Sequence, residues 1–285
     1  VLRIRYESDE EYQGMYAAIL EKAVPSKILF DKKPVIQLAE PFDGVEHSYM
    51  ITPLLANKLQ DKGYHVVVSC GRNSGPKLTL NTLDIYNALQ VNFLTPDTNT
   101  TKQDAAYGWA LNQKDFFPAL DAWVDRRRII SKRPFLATLE KVLNPAKADI
   151  LITSVFHIPY LQKMIELGTM AGFKAVIVLK RGLEGSLAPS LSKATGILCG
   201  VQLNDGTIKT KEFDVADEKF RTYKMDADSI EENLTLQANV GLIENHQKQG
   251  YSGSKEFDNR IAMAMELYGE GLNWINEQRN LYNFF

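Results

Sequence analysis

The sequence predicts an α/β fold, with a mostly parallel sheet flanked by helices and a small all-helical domain. Short apolar runs typical of buried strands alternate with amphipathic helical segments, and this alternation resumes in the second half of the chain. Both ends of the chain have helical patterns. A length of 285 residues suits one large domain, or a large domain and a small one. We expect a helical domain over residues 1–30 and an α/β domain over residues 31–285, some of whose helices pack on the helical domain.

Strands and helices alternate in the first half of the chain. Ser8 and Glu11 form a capping box that begins an amphipathic helix. Thr52-Pro53 places a capping residue and a proline at the start of the next helix, which ends at Lys62-Gly63. Strands are predicted over residues 34–38 and 64–68, and a further helix over residues 82–89. This order predicts a parallel sheet.

The second half of the chain continues the alternation and adds a hairpin. Helices are predicted over residues 116–128, 134–143 and 160–171, and strands over residues 149–153 and 174–179. Asp205-Gly206 between alternating residues predicts an antiparallel hairpin. A second capping box, Ser229 with Glu232, begins a helix that Gly250 ends, and the long last helix runs from Ser254 through Glu277.

The composition is typical of a globular protein and does not identify a binding partner. The chain is 45% hydrophobic and 24% charged, as globular proteins are, and its net charge of -2 means that any polyanion site must be a local basic patch. Cys70 and Cys199 are too few for a disulfide scaffold or a thiolate zinc site, and we expect two half-buried thiols. No apolar run approaches the roughly 18 to 20 residues of a spanning helix, and no signal peptide is recognisable, so we expect a cytoplasmic protein without a membrane partner.

Ligands of open parallel sheets bind beyond the carboxyl ends of the strands, so the loops after residues 38, 69, 154 and 179 are the candidate sites. The first loop, residues 39–47, holds three carboxylates and a histidine without metal-ligand spacing, and a solvated loop that turns at Asp43-Gly44 explains it. The second loop has the small, polar and cationic residues of an anion cradle but not the spacing of a P-loop. Its candidates are Gly71, Arg72, Asn73 and Lys77.

The remaining candidates lie in two further loops and one basic stretch. The third loop brings His157, a lone imidazole, which is more often structural than catalytic. The fourth loop suits an anion or a metal-bridged phosphate as well as a surface turn, and its candidates are Lys180, Arg181 and Glu184. Residues 125–133 form the densest basic stretch, which suits phosphate recognition or a solvated helix end, and its candidates are Arg127, Lys132 and Arg133. No Gly-x-Ser-x-Gly motif is present, so a hydrolase is not expected.

The order of these segments resembles the anthranilate phosphoribosyltransferase family, which is similar in fold to the pyrimidine nucleoside phosphorylases. Residues 2–14 are similar to the family segment R-(I/M)-K-G-E-T-x-E-E-(I/L)-x-G, which lies partway into its N-terminal helical domain, so we expect the first helices of that domain to be missing. Residues 135–145 resemble F-N-x-L-G-P-L-x-N-P. Residues 155–157, 163–167 and 172–178 resemble the helix and strand before the metal loop of the family. The resemblance covers nearly the whole chain.

The departures from the family motifs lie in the ligand loops. The sequence Ala39-Glu-Pro-Phe-Asp43 stands where the family has G-T-G-G-D, and only the aspartate matches. Thr52 matches the last residue of N-x-S-T, and Gly71 the glycine of K-H-G-N. Gly182-Leu-Glu-Gly185 keeps one of the two carboxylates of G-L-D-E, namely Glu184, so magnesium would be held less well. Arg127 falls where the family has its anthranilate-carboxylate arginine.

The resemblance therefore implies a phosphoribosyltransferase-like protein that binds a phosphorylated ribose or another anionic ligand and has lost anthranilate phosphoribosyltransferase activity. If the protein is active, the resemblance implies a pentosyltransferase or phosphorylase in which Arg127 contacts the acceptor. Its phosphate and metal pocket would be lined by Asp43, Thr52, Gly71 and Glu184. The alternative, implied by the divergent second branch of the family, is a non-catalytic protein that binds single-stranded nucleic acid in a basic groove. That groove would use Arg72, Lys77, Arg127, Lys132, Arg133, Lys180 and Arg181. Weak binding of magnesium is the only cofactor expected.

The last helix predicts a homodimer formed through the helical domain. It carries more apolar surface than a small domain readily covers, since its apolar residues include Ile261, Met265, Leu267, Leu272, Trp274 and Ile275. Packing inside one subunit is the alternative explanation, because helices that are apolar over most faces are commonly buried.

Overall fold

One mixed sheet organises the described part of the protein. The computed structural model describes residues 7–31, 33–75, 77, 79–98, 105–130, 134–215, 218–228 and 234–282. Within these ranges the eight strands lie in the order β3-β4-β2-β1-β5-β6-β7-β8. Their bounds are β1 Val35–Ala39, β2 His65–Cys70, β3 Phe93–Leu94, β4 Trp109–Asn112, β5 Ile150–Val155, β6 Ala175–Lys180, β7 Gly196–Gln202 and β8 Ile208–Asp214.

The first six strands are parallel and the last two are antiparallel. Leu38 of β1 lies level with Val68 of β2 on one side and with Ile152 of β5 on the other. Strand β7 pairs antiparallel with β6, and β8 with β7 across the hairpin that Asp205-Gly206 predicts. The predicted α/β class with a mostly parallel sheet is confirmed. The two strands of the hairpin, β7 and β8, extend the main sheet at one edge.

Helices cover both faces of the sheet. Their bounds are α1 Asp9–Glu21, α2 Thr52–Asp61, α3 Thr82–Ala88, α4 Gln113–Phe116, α5 Pro118–Asp121, α6 Val124–Ile130, α7 Leu136–Leu139, α8 Tyr160–Met170, α9 Leu236–Gln249 and α10 Lys255–Tyr282. Because side chains alternate along a strand, Leu38 packs in a core with α2, α3, α9 and α10, while Ala39 packs in the opposite core with α1 and α8. None of the helices in the described ranges combines the length and apolar character that a membrane span requires.

Several predicted elements differ from the observed ones. Strands β3 and β4 were not predicted, and the single helix expected over residues 116–128 is three short helices, because Phe117 leaves the helical conformation ahead of Pro118. The capping box of Ser229 and Glu232 lies outside the described residues; helix α9 begins after Thr235, whose hydroxyl accepts from the N–H of Ala238.

Helix α10 does not present the apolar surface that the dimer argument requires. Ile261, Leu267, Leu272, Trp274 and Ile275 are buried in the core of their own chain, and Met265 packs against that core. A methyl group at Gly271 would lie 2.9 Å from Cys199, so the helix rests directly on β7. The alternative, packing inside one subunit, is the observed one, and the dimer stays a prediction without this support.

The two ends of the chain pack on opposite faces of the sheet. Helix α1 belongs to the core that contains α8, and helix α10 belongs to the core that contains α2. The helical domain expected over residues 1–30 and its boundary with the α/β domain stay predictions. Cys70 and Cys199 are fully buried, where half-buried thiols were expected.

Candidate functional site

The loops that follow β1, β2 and β6 meet at the carboxyl edge of the sheet, as parallel strands require. The side-chain amide of Asn73 donates to the carbonyl of Asp43 at 3.3 Å, which joins the second loop to the first. The carboxylate of Glu40 accepts from the N–H of Leu187 at 3.2 Å, which joins the first loop to the fourth. The sequence thus located one cluster of loops, and the contacts within it decide what it can bind.

Phe42 fills the space between the first two loops. Its side chain is buried, and a methyl group placed at Gly71 would lie only 2.4 Å from its ring. Gly71 is therefore needed because an aromatic ring packs against its backbone. The side of Gly71 on which a side chain would lie is occupied by this ring.

Thr52 is committed to an internal hydrogen bond. Its hydroxyl donates to the buried carboxylate of Glu40 at 2.6 Å, and the hydroxyl of Thr82 donates to the same oxygen at 2.7 Å. Burial raises the pKa of Glu40, and its three hydrogen bonds act in the opposite direction. The predicted phosphate-binding hydroxyl is thus directed at a carboxylate of its own chain.

Arg72 and Lys180 are among the candidate cations that pair with carboxylates. The guanidinium of Arg72 donates to Asp121 at 3.0 Å and to Asp125 at 3.0 Å. Lys180 bonds to Glu212 and, at 2.9 Å, to Asp214, both on β8. These cations are held by neighbouring elements, and the open basic groove that the sequence suggested stays a prediction.

Glu184, the candidate metal ligand, bridges three loops. Its carboxylate accepts from the N–H of Glu46 at 3.0 Å, from the N–H of His47 at 2.7 Å and from the ammonium of Lys77. Burial raises the pKa of Glu184, but these hydrogen bonds outweigh it and hold that pKa below its usual value. The carboxylate therefore stays ionised as the partner of Lys77.

The weak binding of magnesium expected from the sequence stays a prediction, because an ion at Glu184 would have to displace the donors around that carboxylate. Among the described residues there is no group of three or more His, Cys, Asp or Glu side chains that could hold a metal ion. The single carboxylate of Glu184 is saturated by donors, whereas magnesium requires oxygen ligands free to coordinate it.

Arg127 forms a buried ion pair. Its guanidinium lies 2.5 Å from the carboxylate of Glu140, and both side chains are 2% exposed. The amide of Gln113 donates to the same carboxylate at 3.2 Å. Burial raises the pKa of Glu140, and the nearby Arg127 opposes this. The arginine expected to meet the acceptor is thus enclosed with a carboxylate.

The remaining candidates are scattered. The side chain of Asp43 is buried, Asn73 bonds to backbone groups of the loops, and His157 and Arg181 are exposed. Lys132 and Arg133 lie outside the described residues. The structure brings Asp43, Asn73, Lys77 and Glu184 to one edge, and Thr52 is buried with Glu40.

Sequence reasoning missed an exposed surface formed by α6 and the residue before it. Trp123 is 48% exposed, Ile129 is 84% exposed, and the guanidinium of Arg126 lies 4.8 Å above the Trp123 ring. Ile130 is also exposed. We call these four residues the α6 surface. An aromatic residue and an arginine three positions apart, next to further cations, was the available signal.

Solved structures of one enzyme share this architecture. Anthranilate phosphoribosyltransferase from Saccharomyces cerevisiae in complex with PRPP and Mg matches with a TM-score of 0.66 and 11% identity, over 93% of this chain and 71% of that one. The chain has the anthranilate phosphoribosyltransferase fold. The anthranilate phosphoribosyltransferase of Thermus thermophilus matches with a TM-score of 0.56 and 18% identity, over 98% of this chain and 85% of that one. Identities of this size establish the fold alone.

Sequence comparison adds a relative of undescribed activity. An uncharacterized protein of Aquifex aeolicus (strain VF5) is 27% identical over 195 residues, which are 68% of this chain. The match spans 57% of the length of that relative. No family model matches the sequence. These comparisons establish the anthranilate phosphoribosyltransferase fold, and the activity has to be inferred from the residues at the carboxyl edge.

Proposed function

We propose that this protein binds an anionic ligand on an anthranilate phosphoribosyltransferase fold and does not transfer phosphoribosyl groups. The observation that carries the proposal is the Phe42 ring packed against the backbone of Gly71. A pyrophosphate needs close approach to backbone N–H groups, which glycine-rich loops allow and a buried ring prevents.

The hydrogen bonds around Phe42 support the same conclusion. The hydroxyl of Thr52 donates to Glu40, so using it for a phosphate would leave a buried carboxylate with one donor fewer. The cavity lined by Ser69, Leu111 and Gln113 beside this edge measures about 10 Å³, which is room for one water molecule. This cavity is too small for a pyrophosphate group.

The charges of the edge support retained affinity for anions. Lys77 is 19% exposed and lies beside the exposed loop of Glu46 and His47. Arg181 is exposed on the neighbouring loop. A protein of net charge -2 has no general electrostatic reason to place cations at this edge.

A transferase assay tests the catalytic half of this proposal. Purified protein, magnesium, PRPP and anthranilate are incubated beside an active anthranilate phosphoribosyltransferase, and phosphoribosyl-anthranilate is followed by fluorescence. We expect no product above the protein-free background. Turnover at about 1 per second or faster would refute the proposal.

Calorimetry tests the binding half. Ribose 5-phosphate is titrated into the protein at low ionic strength, where Coulomb interactions with exposed cations are least screened. We expect millimolar or tighter binding. If neither ribose 5-phosphate nor a single-stranded oligonucleotide binds, the protein is not an anion-binding protein.

The α6 surface favours a second candidate function, the binding of single-stranded nucleic acid. Exposed aromatic rings stack on nucleobases, and arginine contacts both phosphates and bases. Trp123 and Arg126 offer both groups within 4.8 Å of each other. This location differs from the basic groove that the sequence suggested, because Arg72 and Lys180 are paired elsewhere.

Anisotropy of a labelled oligothymidylate tests this second candidate. We expect Trp123→Ala to weaken binding about 5-fold or more, since one stacked base contributes about 1–3 kcal/mol. Arg126→Ala should flatten the salt dependence by about one unit. Lys248→Ala, which removes an exposed cation on α9, is the matched control. Equal affinities of all four proteins would exclude this surface as the site.

A further inference from the structure

Glu184 occupies an anion-binding arrangement made by other residues. Two consecutive backbone N–H groups, those of Glu46 and His47, point at its carboxylate from 3.0 and 2.7 Å, and the ammonium of Lys77 completes the set. Adjacent N–H groups together with a cation are a common arrangement for binding carboxylate and phosphate oxygens. The donors form a site, and a side chain of the same chain fills it.

The donors are positioned by contacts that do not involve Glu184. The N–H of Val45 donates to the carbonyl of Leu80 at 2.8 Å, and the hydroxyl of Thr79 donates to the carbonyl of Val45 at 2.7 Å. Gly44 has φ +76°, and a methyl group there would lie 2.2 Å from the carbonyl oxygen of Leu80. The peptide group that carries the N–H of Glu46 is therefore held in place before any anion arrives.

The site can be reached from solvent, and its occupant can leave. Glu46 and His47 are exposed, and the side chains of Lys77 and Glu184 are each 19% exposed. The backbone of Glu184 lies in the left-handed region, at φ 54°, which is unfavourable for a residue other than glycine. The hydrogen bonds to its carboxylate offset part of that cost.

We propose that the N–H groups of Glu46 and His47 and the ammonium of Lys77 bind the phosphate group of a small phosphorylated molecule, and that Glu184 is an internal competitor which this phosphate displaces. The inference rests on the proposed function, because it names the place where the anionic ligand binds. A doubly charged phosphate replaces a singly charged carboxylate beside Lys77, so the exchange gains Coulomb attraction. The site holds one phosphate group, which suits a monoester better than a polyanion.

Glu184→Gln tests the competition. The amide keeps the shape of the side chain and removes its charge, so we expect inorganic phosphate and ribose 5-phosphate to bind about tenfold or more tightly than to the wild type in calorimetry. Adding Lys77→Met to this variant should abolish the gain. Glu212→Gln is the matched control, because it removes a carboxylate paired with Lys180 on a neighbouring element and leaves the proposed phosphate site unchanged.

Each result decides between competition and a purely structural contact. A folded Glu184→Gln protein that binds phosphate no more tightly than the wild type and Glu212→Gln would overturn the inference. The inference would also be overturned if Glu184→Gln bound only an oligonucleotide without a terminal phosphate more tightly, and not inorganic phosphate or ribose 5-phosphate. If Glu184→Gln does not fold, the wild type decides: Lys77→Met must abolish its phosphate binding, and unchanged affinity overturns the inference. Phosphoribosyl transfer by the wild type would refute the proposed function through a separate measurement.

Discussion

Replacing Arg127 by methionine should destabilise the protein strongly without any ligand being present. The substitution keeps most of the side-chain volume and leaves the carboxylate of Glu140, 2% exposed, with the amide of Gln113 as its donor. Breaking a buried ion pair from one side costs about 3–5 kcal/mol. Urea unfolding followed by circular dichroism measures this loss. Arg126→Met, which changes an exposed arginine on the same helix and removes only its contact with the Trp123 ring, should alter the free energy of unfolding by less than about 1 kcal/mol.

The loss should depend on pH in a direction fixed by Glu140. Burial already raises the pKa of this carboxyl, and removing Arg127 removes a group that opposes the rise. A carboxyl whose pKa is higher in the folded than in the unfolded state binds more protons when folded, so folding is favoured as pH falls. The destabilisation by Arg127→Met should therefore be smaller at pH 5 than at pH 8.

A double variant separates the ion pair from other roles of Arg127. Arg127→Met with Glu140→Met removes both charges, and we expect it to recover at least half of the lost stability. A loss below about 1 kcal/mol in Arg127→Met, independent of pH, would refute the reasoning. It would restore the expectation that this arginine is held ready for a ligand.

Two further predictions test the filled edge and the acid response of the fold. Gly71→Ala should destabilise the protein by about 1–3 kcal/mol and lower its melting temperature, because the added methyl group would lie 2.4 Å from the Phe42 ring. Adding Phe42→Ala to this variant should recover part of the lost stability. An unchanged melting temperature in Gly71→Ala would show that the ring does not pack against this glycine. Burial raises the pKa of Asp228, but hydrogen bonds from Ser190, Ser192 and Leu191 and the charge of Arg260 outweigh it and bring that pKa to about 2. A carboxyl whose pKa is lowered by folding stabilises the protein at pH values above its unfolded pKa, near 4, and this stability is lost as pH falls towards 2. Asp228→Asn should therefore lower the free energy of unfolding by about 1–2 kcal/mol at pH 7, after allowance for solvent screening. Urea titrations at pH 2 should show a much smaller loss.

The central strands could be predicted because burial on both faces leaves a simple pattern. Strands β1, β2, β5 and β6 are almost uninterrupted runs of buried apolar residues. Strand β3 has only two residues, and β4 is the tetrapeptide Trp-Ala-Leu-Asn, so neither offers a period to recognise. These two strands form because β2 provides a paired edge, which is a tertiary effect.

The partners of helix α10 could not be predicted from its composition. Its apolar residues indicate burial, but the sequence does not say whether a second subunit or the sheet covers them. Gly271 was the informative residue, because close approach to Cys199 on β7 requires the absence of a side chain.

The position of the candidate site followed from topology, whereas its contacts did not. Parallel strands bring their loops to one edge, so the location needed only the order of strands and helices. The pairing of Lys77 with Glu184 joins residues 107 positions apart, and that of Arg72 with Asp121 joins residues 49 apart. Charges at such separations carry no local signal, and a basic loop therefore looked open when its cations were already paired.

The two buried sulfhydryl groups can serve as probes of local opening in this protein. Cys70 ends β2 and Cys199 lies in β7, on the far side of the sheet's centre, and burial raises the pKa of both groups. Thiolate reagents should therefore modify neither residue until the structure around it opens. Pulse labelling followed by mass spectrometry would give two separate opening rates, one beside the loop of Gly71 and one beneath helix α10. Different rates would show that the parallel strands and the terminal hairpin come apart independently.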